Sequence, residues 1–239
     1  MADIVQGLWI GDALSKMEQL SIASFLRQGH EFHLYTYGAV SGVPPGTVVR
    51  DAEAVIPASR IFFYPQEKFY GAFANVFRYK LLLERGGWWA DVDMVCLEPF
   101  DFPTEHVFAS EPAPGGAVPT AGLLRAPAGS AAMAEACEIC ESKDPERISW
   151  GETGAKLVRE LLERHGLMGC LQPPEVFCPI PYDRWEEVLD PGVPWSFAAP
   201  TRGVHLWRQM WRRAGVDADG SYPPGCLYER LKARYLPRG

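Results

Sequence analysis

Two aspartates one residue apart, Asp91 and Asp93, lie in the segment GGWWADVDMV, whose other residues favour burial. Burial of an unpaired carboxylate costs on the order of several kcal/mol, so the pair requires a cation or several hydrogen-bond donors nearby. In an extended chain such residues point to the same side, about 6.5–7 Å apart, and a turn beginning there can bring both carboxylates around one divalent cation. Hard oxygen ligands of this kind suit Mg²⁺ or Mn²⁺, which keep open positions for substrate phosphates. The pair therefore predicts a cation site that also binds phosphates.

A DxD pair alone is a weak indication, because short acidic pairs also occur in exposed turns. The alternative, a solvated structural turn, is disfavoured by the two tryptophans before the pair and the apolar run after it. A haloacid-dehalogenase phosphatase would have DxDxT, and an EF-hand loop would have Gly and Glu at its sixth and twelfth positions; the sequence fits neither pattern. Because the two carboxylates are so close, we expect them to repel each other in the metal-free protein, so that removal of one charge stabilises it.

The elements that position the pair begin with a strand–helix–strand unit. Residues 3–10 are apolar and β-branched enough for a buried first strand, and residues 31–37 read as a second strand. Between them, Ser15 can cap a helix that carries Glu18 three residues later and ends at Gly29. Two strands joined by a helix form a βαβ unit, which implies a parallel sheet.

The clearest helix covers residues 72–85, and a strand then runs into the two aspartates. The pair thus follows a buried strand, and α/β sheets bind ligands beyond the carboxyl ends of their strands. Helices are expected at about residues 129–142 and 153–165, followed by a last amphipathic helix. We interpret the Gly- and Pro-rich stretch SEPAPGGAVPTAGLLRAPAGS as a surface excursion around one short strand. The pattern predicts one α/β domain spanning residues 1–239.

The composition is that of a globular protein, with 239 residues, 47% hydrophobic and 22% charged side chains, enough to form a full core. A net charge of −7 without any Lys/Arg tract argues against nucleic-acid binding. The six cysteines lack zinc-site spacing, and we expect them to be reduced thiols. No apolar run is long enough for a transmembrane segment, and the N-terminus lacks a charged region before an apolar stretch. We therefore expect a cytoplasmic protein, either free or peripheral at the membrane.

The segment FANVFRYKLLLERGGWWADVDMVCLEPF resembles the sugar-transferase DXD signature of family 32 glycosyltransferases and, more distantly, that of the large clostridial glucosylating toxins. The segment LWIG resembles the first-strand motif of the same group. A weaker similarity continues through VFASE, VFCPIPYD and VHLWRQMWRR, and is closest to bacterial members that build surface polysaccharides. The resemblance implies a GT-A-type, Rossmann-like single domain with a mostly parallel central sheet. It also implies a nucleotide-sugar-binding half at about residues 1–100 and an acceptor-side half at about residues 101–239.

The resemblance also implies roles for individual residues. Trp9 would stack on the donor base, and Arg78 would reach the donor sugar or phosphates. Asp91 would hold ribose and sugar hydroxyls, while Asp93 would bind the metal. Asn75 replaces an aspartate of the signature, so it can hydrogen-bond a donor hydroxyl but brings no charge. From residue types alone, a core position is the alternative for Trp9, and a solvent-facing pair is the alternative for Asn75 and Arg78.

Further positions belong to this implied site. Trp89 replaces the usual tyrosine before the aspartates, so at the donor it offers an indole N–H instead of a hydroxyl. His205 matches a late histidine that completes the metal and pyrophosphate site, with a purely structural histidine as the alternative. Trp207 and Arg208 would close over the donor, unless Arg208 and the two arginines after it form a solvated basic helix face.

The resemblance, together with the DxD pair, implies a metal-dependent, retaining hexosyltransferase that uses Mn²⁺ or Mg²⁺ and a nucleotide-diphosphate sugar, a UDP-sugar ahead of a GDP-sugar. The acceptor would be a saccharide, a lipid-linked saccharide or another hydroxyl compound, bound near loops 112–119 and 190–203. No second carboxylate nucleophile is evident, so same-face attack is favoured over a covalent intermediate. The alternatives are a sugar nucleotidyltransferase, for which LWIGDALSK is a poor phosphate loop, and a non-catalytic nucleotide- or sugar-binding module, which Asn75 keeps open.

Overall fold

The computed structural model describes residues 4–64 and 69–237. Within these residues the strands are β1 (Ile4–Trp9), β2 (Glu31–Thr36), β3 (Val48–Asp51), β4 (Gly87–Ala90), β5 (Met94–Cys96), β6 (Val107–Ala113), β7 (Gly116–Ala126) and β8 (Gly203–His205). The α-helices are α1 (Lys16–Arg27), α2 (Gly71–Arg85), α3 (Ala131–Glu141), α4 (Ala155–Arg164), α5 (Pro174–Phe177), α6 (Arg208–Ala214) and α7 (Leu227–Tyr235). Short 3₁₀ segments lie at Ala52–Ala54, Ala58–Arg60, Met168–Cys170 and Tyr182–Leu189.

A six-stranded sheet with the order β3-β2-β1-β4-β7-β6 runs through the described residues. β1 pairs in parallel with β2 on one side and with β4 on the other, and β3 pairs in parallel with β2. β7 runs antiparallel to β4, which places Leu123 opposite Ala90, and β6 runs antiparallel to β7. The parallel part confirms the predicted βαβ unit and the mostly parallel sheet. It also puts the carboxyl ends of β1 and β4 side by side.

Helices cover both faces of this sheet. Trp88 and Trp89 on β4 point to opposite faces, as successive strand residues do. Trp89 packs with Phe77 of α2, whereas Trp88 lies in a separate cluster with Phe25 of α1. Residues of α3 and α4 join the α2 side. Because both faces are covered, β2 is buried along nearly its whole length and not only at alternate residues.

The ends of α1 and α2 follow from their sequences. The Ser15 side chain accepts a hydrogen bond at the first turn of α1, and Glu18 accepts one from the Ser15 amide at 2.7 Å, which confirms the predicted capping box. At the C-terminal end of α2, Gly86 and Gly87 reverse the chain into β4 with φ values of 65° and 92°. A Cβ atom at Gly86 would lie 2.5 Å from the Ala128 amide nitrogen, so this return requires glycine.

The stretch expected to be a surface excursion is instead a β-hairpin at the edge of the central sheet. β6 and β7 join through Gly115 and Gly116, whose φ values of 86° and 142° suit glycine. Pro112 lies on β6, an edge strand, where proline is tolerated. The expectation was wrong because these glycines and prolines shape a tight turn and a strand edge. As a result β7 brings Gly122 to the carboxyl end of β4.

A second, two-stranded antiparallel sheet pairs β5 with β8, with Met94 opposite His205. Every residue of the two strands is buried. They pack in a cluster with residues of α1, α6 and α7. The pairing brings His205 beside Asp93, although 112 residues separate them in sequence.

Three general expectations can be compared with the structure. All six cysteines lie in the described residues and are free, as predicted. Within the described ranges, no helix is both long and apolar enough to span a bilayer. Strands from before and after residue 100 share the central sheet, and the division into donor and acceptor halves stays a prediction.

Candidate functional site

A cleft of about 720 Å³ opens beyond the carboxyl ends of β1 and β4. Its lining comes from the ends of these strands, the first half of α2, the middle of β7 and the segment from His205 into α6. The residues predicted from the sequence all line it, and they are Trp9, Asn75, Arg78, Trp89, Asp91, Asp93 and His205. The structure therefore brings together side chains from four separate parts of the chain.

Asp91 is fixed by the turn that follows β4. Its amide donates to the Gly122 carbonyl at 2.7 Å, and its carbonyl accepts from the Met94 amide at 2.9 Å. Its Oδ1 accepts from the Trp89 indole N–H at 2.9 Å and lies 3.0 Å from an Arg78 Nη2. The carboxylate is thus held by an indole and a guanidinium, with the rest of it facing the cleft.

The Arg78 side chain is held at the same corner of the cleft by several contacts. Its side chain is only 4% exposed, and its Nε donates to the Ala74 carbonyl at 3.2 Å. Its Nη1 donates to the Ala121 carbonyl, and the guanidinium lies over the Trp89 ring at 4.9 Å. The positive charge is paired with Asp91, so Arg78 orients that carboxylate. The alternative of a solvent-facing Asn75–Arg78 pair is wrong, because both residues are buried.

Asp93 and His205 form a buried pair beside this corner. The Asp93 Oδ1 lies 3.2 Å from the His205 Nε2, and its Oδ2 accepts from the Arg208 backbone amide at 2.7 Å. The Trp207 ring lies against the His205 ring at a centroid distance of 3.8 Å and donates its own N–H to the Ile180 carbonyl. The Trp207 backbone, at φ 58°, turns the chain from β8 into α6. Trp207 therefore holds the imidazole in place.

Burial and neighbouring charges shift the pKa of each titratable group in the cluster. Burial raises the pKa of Asp91, although the Arg78 guanidinium opposes that shift. Burial alone would raise the pKa of Asp93, but His205 and the Arg208 amide lower it below its usual range. Burial alone would also lower the pKa of His205, yet the Asp93 carboxylate raises it well above its ordinary value. The pair is therefore an ion pair at neutral pH.

The cluster fits a divalent cation. Asp91, Asp93 and His205 each offer a ligand atom, and these atoms lie within 4.8 Å of one another. The His205 Nδ1 is buried and receives no hydrogen bond of standard geometry from the described residues, and the Cys178 thiol interacts with the ring. A Cβ atom at Gly122 would lie 3.1 Å from the His205 Cε1 and 3.3 Å from the Asp91 Oδ2. The lack of a side chain at Gly122 therefore leaves space between these two ligands. Two carboxylates and an imidazole suit Mn²⁺ and related ions.

The remaining predicted residues lie along the walls of the cleft. Trp9 is partly buried at the end of β1, and its buried indole nitrogen has no hydrogen-bond partner among residues 4–64 and 69–237. Asn75 is 7% exposed and donates from Nδ2 to the Thr153 hydroxyl at 3.2 Å. Trp89 is 1% exposed, so its ring belongs to the core and only its N–H serves the site through Asp91.

Two carboxylates at the cleft were not singled out from the sequence. Glu18, predicted only as a helix cap, is fully buried, and its Oε1 lies 3.0 Å from the Nε of Arg208. The two residues are 190 positions apart, so no local pattern could have paired them. Glu111 on β6 also borders the cleft, and burial raises its pKa. It lies in the stretch that was taken for a surface excursion.

No protein-family model matches this sequence, and no curated protein is similar enough to count as a relative. Among solved structures, the protein is similar to PaToxG glycosyltransferase, with a TM-score of 0.54 and 13% identity over 98% of this chain and 87% of that chain. The galactosyltransferase LgtC, in complex with donor and acceptor sugar analogues, gives 0.46 and 8% over 99% and 97% of the chains. The glycosyltransferase GlyE of Streptococcus pneumoniae TIGR4 gives 0.41 and 16% over 98% and 65%.

At these identities the likeness to PaToxG shows a shared fold. The chain therefore shares the mixed α/β architecture of that glycosyltransferase, in agreement with the fold that its sequence resemblance implied.

Proposed function

We propose that this protein is a metal-dependent, retaining glycosyltransferase that moves a sugar from a nucleotide-diphosphate sugar to a hydroxyl group. The observation that carries the proposal is the cluster of Asp91, Asp93 and His205 at the carboxyl end of β4. The cleft around it has a volume of about 720 Å³, within the range of small-molecule sites. The DXD signature of family 32, the fold and this cluster support the same chemistry.

The cluster would hold Mn²⁺ in preference to Mg²⁺. Magnesium prefers oxygen ligands only, whereas this site adds an imidazole to its two carboxylates. When bound, the ion would supply Lewis-acid stabilisation to the departing pyrophosphate. Asp93 and His205 would be its deepest ligands, and Asp91 would contact both ion and donor hydroxyls.

Arg208 is the cationic side chain best placed to serve the leaving group. Both arginines line the cleft and each is paired with a carboxylate, Arg78 with Asp91 and Arg208 with Glu18. The Arg78 side chain is only 4% exposed, whereas that of Arg208 is 32% exposed and is the more accessible of the two to a ligand. A fixed positive charge stabilises the negative charge that develops on pyrophosphate as the glycosidic bond breaks. We therefore assign to Arg208 the leaving-group role that the sequence suggested for Arg78.

The remaining residues would position the donor. Trp9 would stack on the base, and Asn75 would hydrogen-bond a donor hydroxyl without adding charge. For retention we favour same-face attack, in which the departing phosphate takes the proton of the acceptor hydroxyl. A covalent route would require a carboxylate nucleophile, and Glu111 borders the cleft. Loss of transfer with trapping of a glycosylated Glu111 would establish that route instead.

The finer assignments follow from the resemblance. We propose a UDP-sugar as donor ahead of a GDP-sugar, and a saccharide or lipid-linked saccharide as acceptor in surface-polysaccharide synthesis. Such a role would place the protein in the cytoplasm, free or peripheral at the membrane. Donor and acceptor sites would lie mainly in residues 1–100 and 101–239.

Product analysis tests the proposal. The protein is incubated with Mn²⁺, a panel of UDP- and GDP-sugars and a mixture of saccharide acceptors, and the released nucleotide is identified by mass spectrometry. We expect a nucleoside diphosphate and a glycosylated acceptor, and no product from Asp93→Asn. A parallel reaction with nucleoside triphosphates and sugar 1-phosphates tests the nucleotidyltransferase alternative, which would release pyrophosphate as it forms a nucleotide-diphosphate sugar. Nucleotide binding without turnover of any donor would indicate a binding module.

A further inference from the structure

One wall of the cleft carries a group of aromatic side chains that the proposed chemistry does not use. We call Tyr64, Phe69 and Trp150 the aromatic platform, and all three line the cleft. The Trp150 ring lies 5.3 Å from Tyr64 and is stacked on Phe69 at 5.8 Å. Trp150 is nevertheless 54% exposed, which is unusual for a tryptophan with these contacts. Trp150 thus combines a large exposed area with a place in the lining of the cleft.

Positive charge lies beside the platform. The Arg213 guanidinium is 4.4 Å from the centre of the Trp150 ring, and that of Arg212 is 5.4 Å from the Phe69 ring. Both arginines are on α6, the helix that begins at Arg208. Contacts of this kind hold a cation and an aromatic ring together in a fixed arrangement. The platform therefore links α6 to the segment that precedes α2.

The loop that carries Trp150 is tied to α2. Thr153 accepts a hydrogen bond from Asn75 at its hydroxyl and another from the Tyr79 hydroxyl at its carbonyl, at 3.2 and 2.8 Å. Phe69 precedes α2 by two residues, and Arg78 lies in its eighth position. At 1.5 Å per helical residue, about 10 Å of α2 separates its first residue, which follows the platform, from Arg78. An oligosaccharide with one unit at the cation cluster would have further units able to span this length.

We propose that the aromatic platform binds the acceptor, and that this acceptor is an oligosaccharide of at least two sugar units; the inference rests on the proposed glycosyl transfer. One face of a pyranose ring is covered with C–H groups, which pack on the electron-rich face of an aromatic ring. The neighbouring guanidinium groups are donors suited to sugar oxygens. The donor base has a separate aromatic partner in Trp9, at the end of β1. Loop 190–203 contributes Trp195 and Arg202 to a separate cavity, and its expected place near the acceptor stays a prediction.

Substitution of Trp150 tests the platform, and Phe63→Ala is the matched control. Phe63 is 43% exposed and contacts Tyr70, but it does not line the cleft. Three readouts are compared: binding of UDP with Mn²⁺ by calorimetry, hydrolysis of the donor without acceptor, and binding to an array of immobilised mono- to hexasaccharides in the presence of UDP and Mn²⁺. We expect the native protein to bind oligosaccharides and not the corresponding monosaccharides.

We expect Trp150→Ala to weaken array binding about tenfold or more, as loss of a central aromatic contact does elsewhere. Trp150→Phe should retain most of the binding, and both variants should keep the UDP binding and donor hydrolysis of the native protein at a temperature where both are folded. Unchanged array binding by Trp150→Ala, equal binding of monosaccharides, or no saccharide binding by the native protein would overturn the proposal. Weakened UDP binding by Trp150→Ala would overturn it in favour of a donor-base platform. Failure of the proposed function would look different, with no donor hydrolysis or UDP binding by the native protein.

Discussion

At the residue scale, each aspartate of the DxD pair has its own cation. Asp91 is paired with Arg78, and Asp93 with His205. We therefore revise the expectation that removal of one negative charge stabilises the metal-free protein, because loss of the Asp93 charge leaves a buried imidazolium without its partner. Opposite charges at 3.0–3.2 Å outweigh the repulsion between the two carboxylates.

Asp93→Asn is predicted to lower both metal affinity and stability. The amide keeps the shape but removes the charge that pairs with His205, so the free energy of unfolding should fall by about 1–3 kcal/mol. Transfer should fall by orders of magnitude, far more than the loss of folded protein explains. Thermal unfolding and Mn²⁺ calorimetry measure the two effects, with the exposed Asp101→Asn as control. An Asp93→Asn protein that transfers sugar at the native rate would contradict the metal-ligand role.

Metal binding is predicted to strengthen as the pH rises. The pKa of His205 is raised well above its ordinary value in the metal-free protein, so its ring is protonated at neutral pH. A ring nitrogen must lose this proton to bind a metal, and Asp93 is already ionised because its pKa is lowered. Affinity should therefore increase up to about tenfold per pH unit until the pKa of His205 is reached.

Calorimetry of Mn²⁺ binding at several pH values, in buffers with different ionisation heats, measures this release. Close to one proton per bound ion is expected near pH 7. His205→Gln should bind more weakly and without the pH dependence. A pH-independent affinity of the native protein would rule out His205 as a ligand.

Arg208 is predicted to affect turnover more than metal binding. Arg208→Gln keeps the backbone amide that donates to Asp93 and removes the charge near the leaving group. Loss of one such stabilising contact typically lowers kcat about 10²–10³-fold. Because this change leaves Glu18 buried without its cation, the double variant Glu18→Gln/Arg208→Gln is needed to separate catalysis from stability. An unchanged kcat in the double variant would remove Arg208 from the mechanism.

At the scale of elements, β7 determines the space available to the cation cluster. Gly122→Ala is predicted to weaken Mn²⁺ binding, because the added Cβ would lie 3.1 Å from His205 and 3.3 Å from Asp91. The change alters no charge and requires no unusual backbone angle. Gly38→Ala is the control, since its added Cβ would meet no atom within 4 Å. Equal Mn²⁺ affinity of the two variants in calorimetry would show that β7 does not limit the cluster.

The sequence predicted the elements with regular local patterns. The apolar spacing of α2, its closing glycines and the buried strand after them were sufficient to place Asp91 and Asp93 at a strand end. The hairpin of β6 and β7 was missed because its glycines and prolines also fit a surface loop. His205 was found only through the family resemblance, and the Glu18–Arg208 pair could not be found, since it depends on contacts between distant segments.

At the scale of the whole molecule, nucleotide sugars are predicted to raise the melting temperature fully only when Mn²⁺ is also bound. A ligand at 100 times its Kd stabilises the folded state by about 2.7 kcal/mol. For a chain of 239 residues this corresponds to roughly 5–10 °C. A thermal-shift panel of nucleotide sugars, each with and without Mn²⁺, should show the full increase only with the metal. Equal shifts without Mn²⁺ would contradict a metal bridge between Asp93 and the pyrophosphate.

The pairing of β5 with β8 also has a consequence for the order of folding. Asp93 and His205 are 112 positions apart in the sequence. During synthesis both aspartates therefore leave the ribosome more than a hundred residues before His205. Closing a loop of that length costs about 4 kcal/mol of chain entropy, which only docking of the late strand recovers. A cation bound by all three side chains would thus act as a removable clasp between the earlier and later parts of the chain. An N-terminal fragment ending before β8 would keep the DxD motif and lack the clasp.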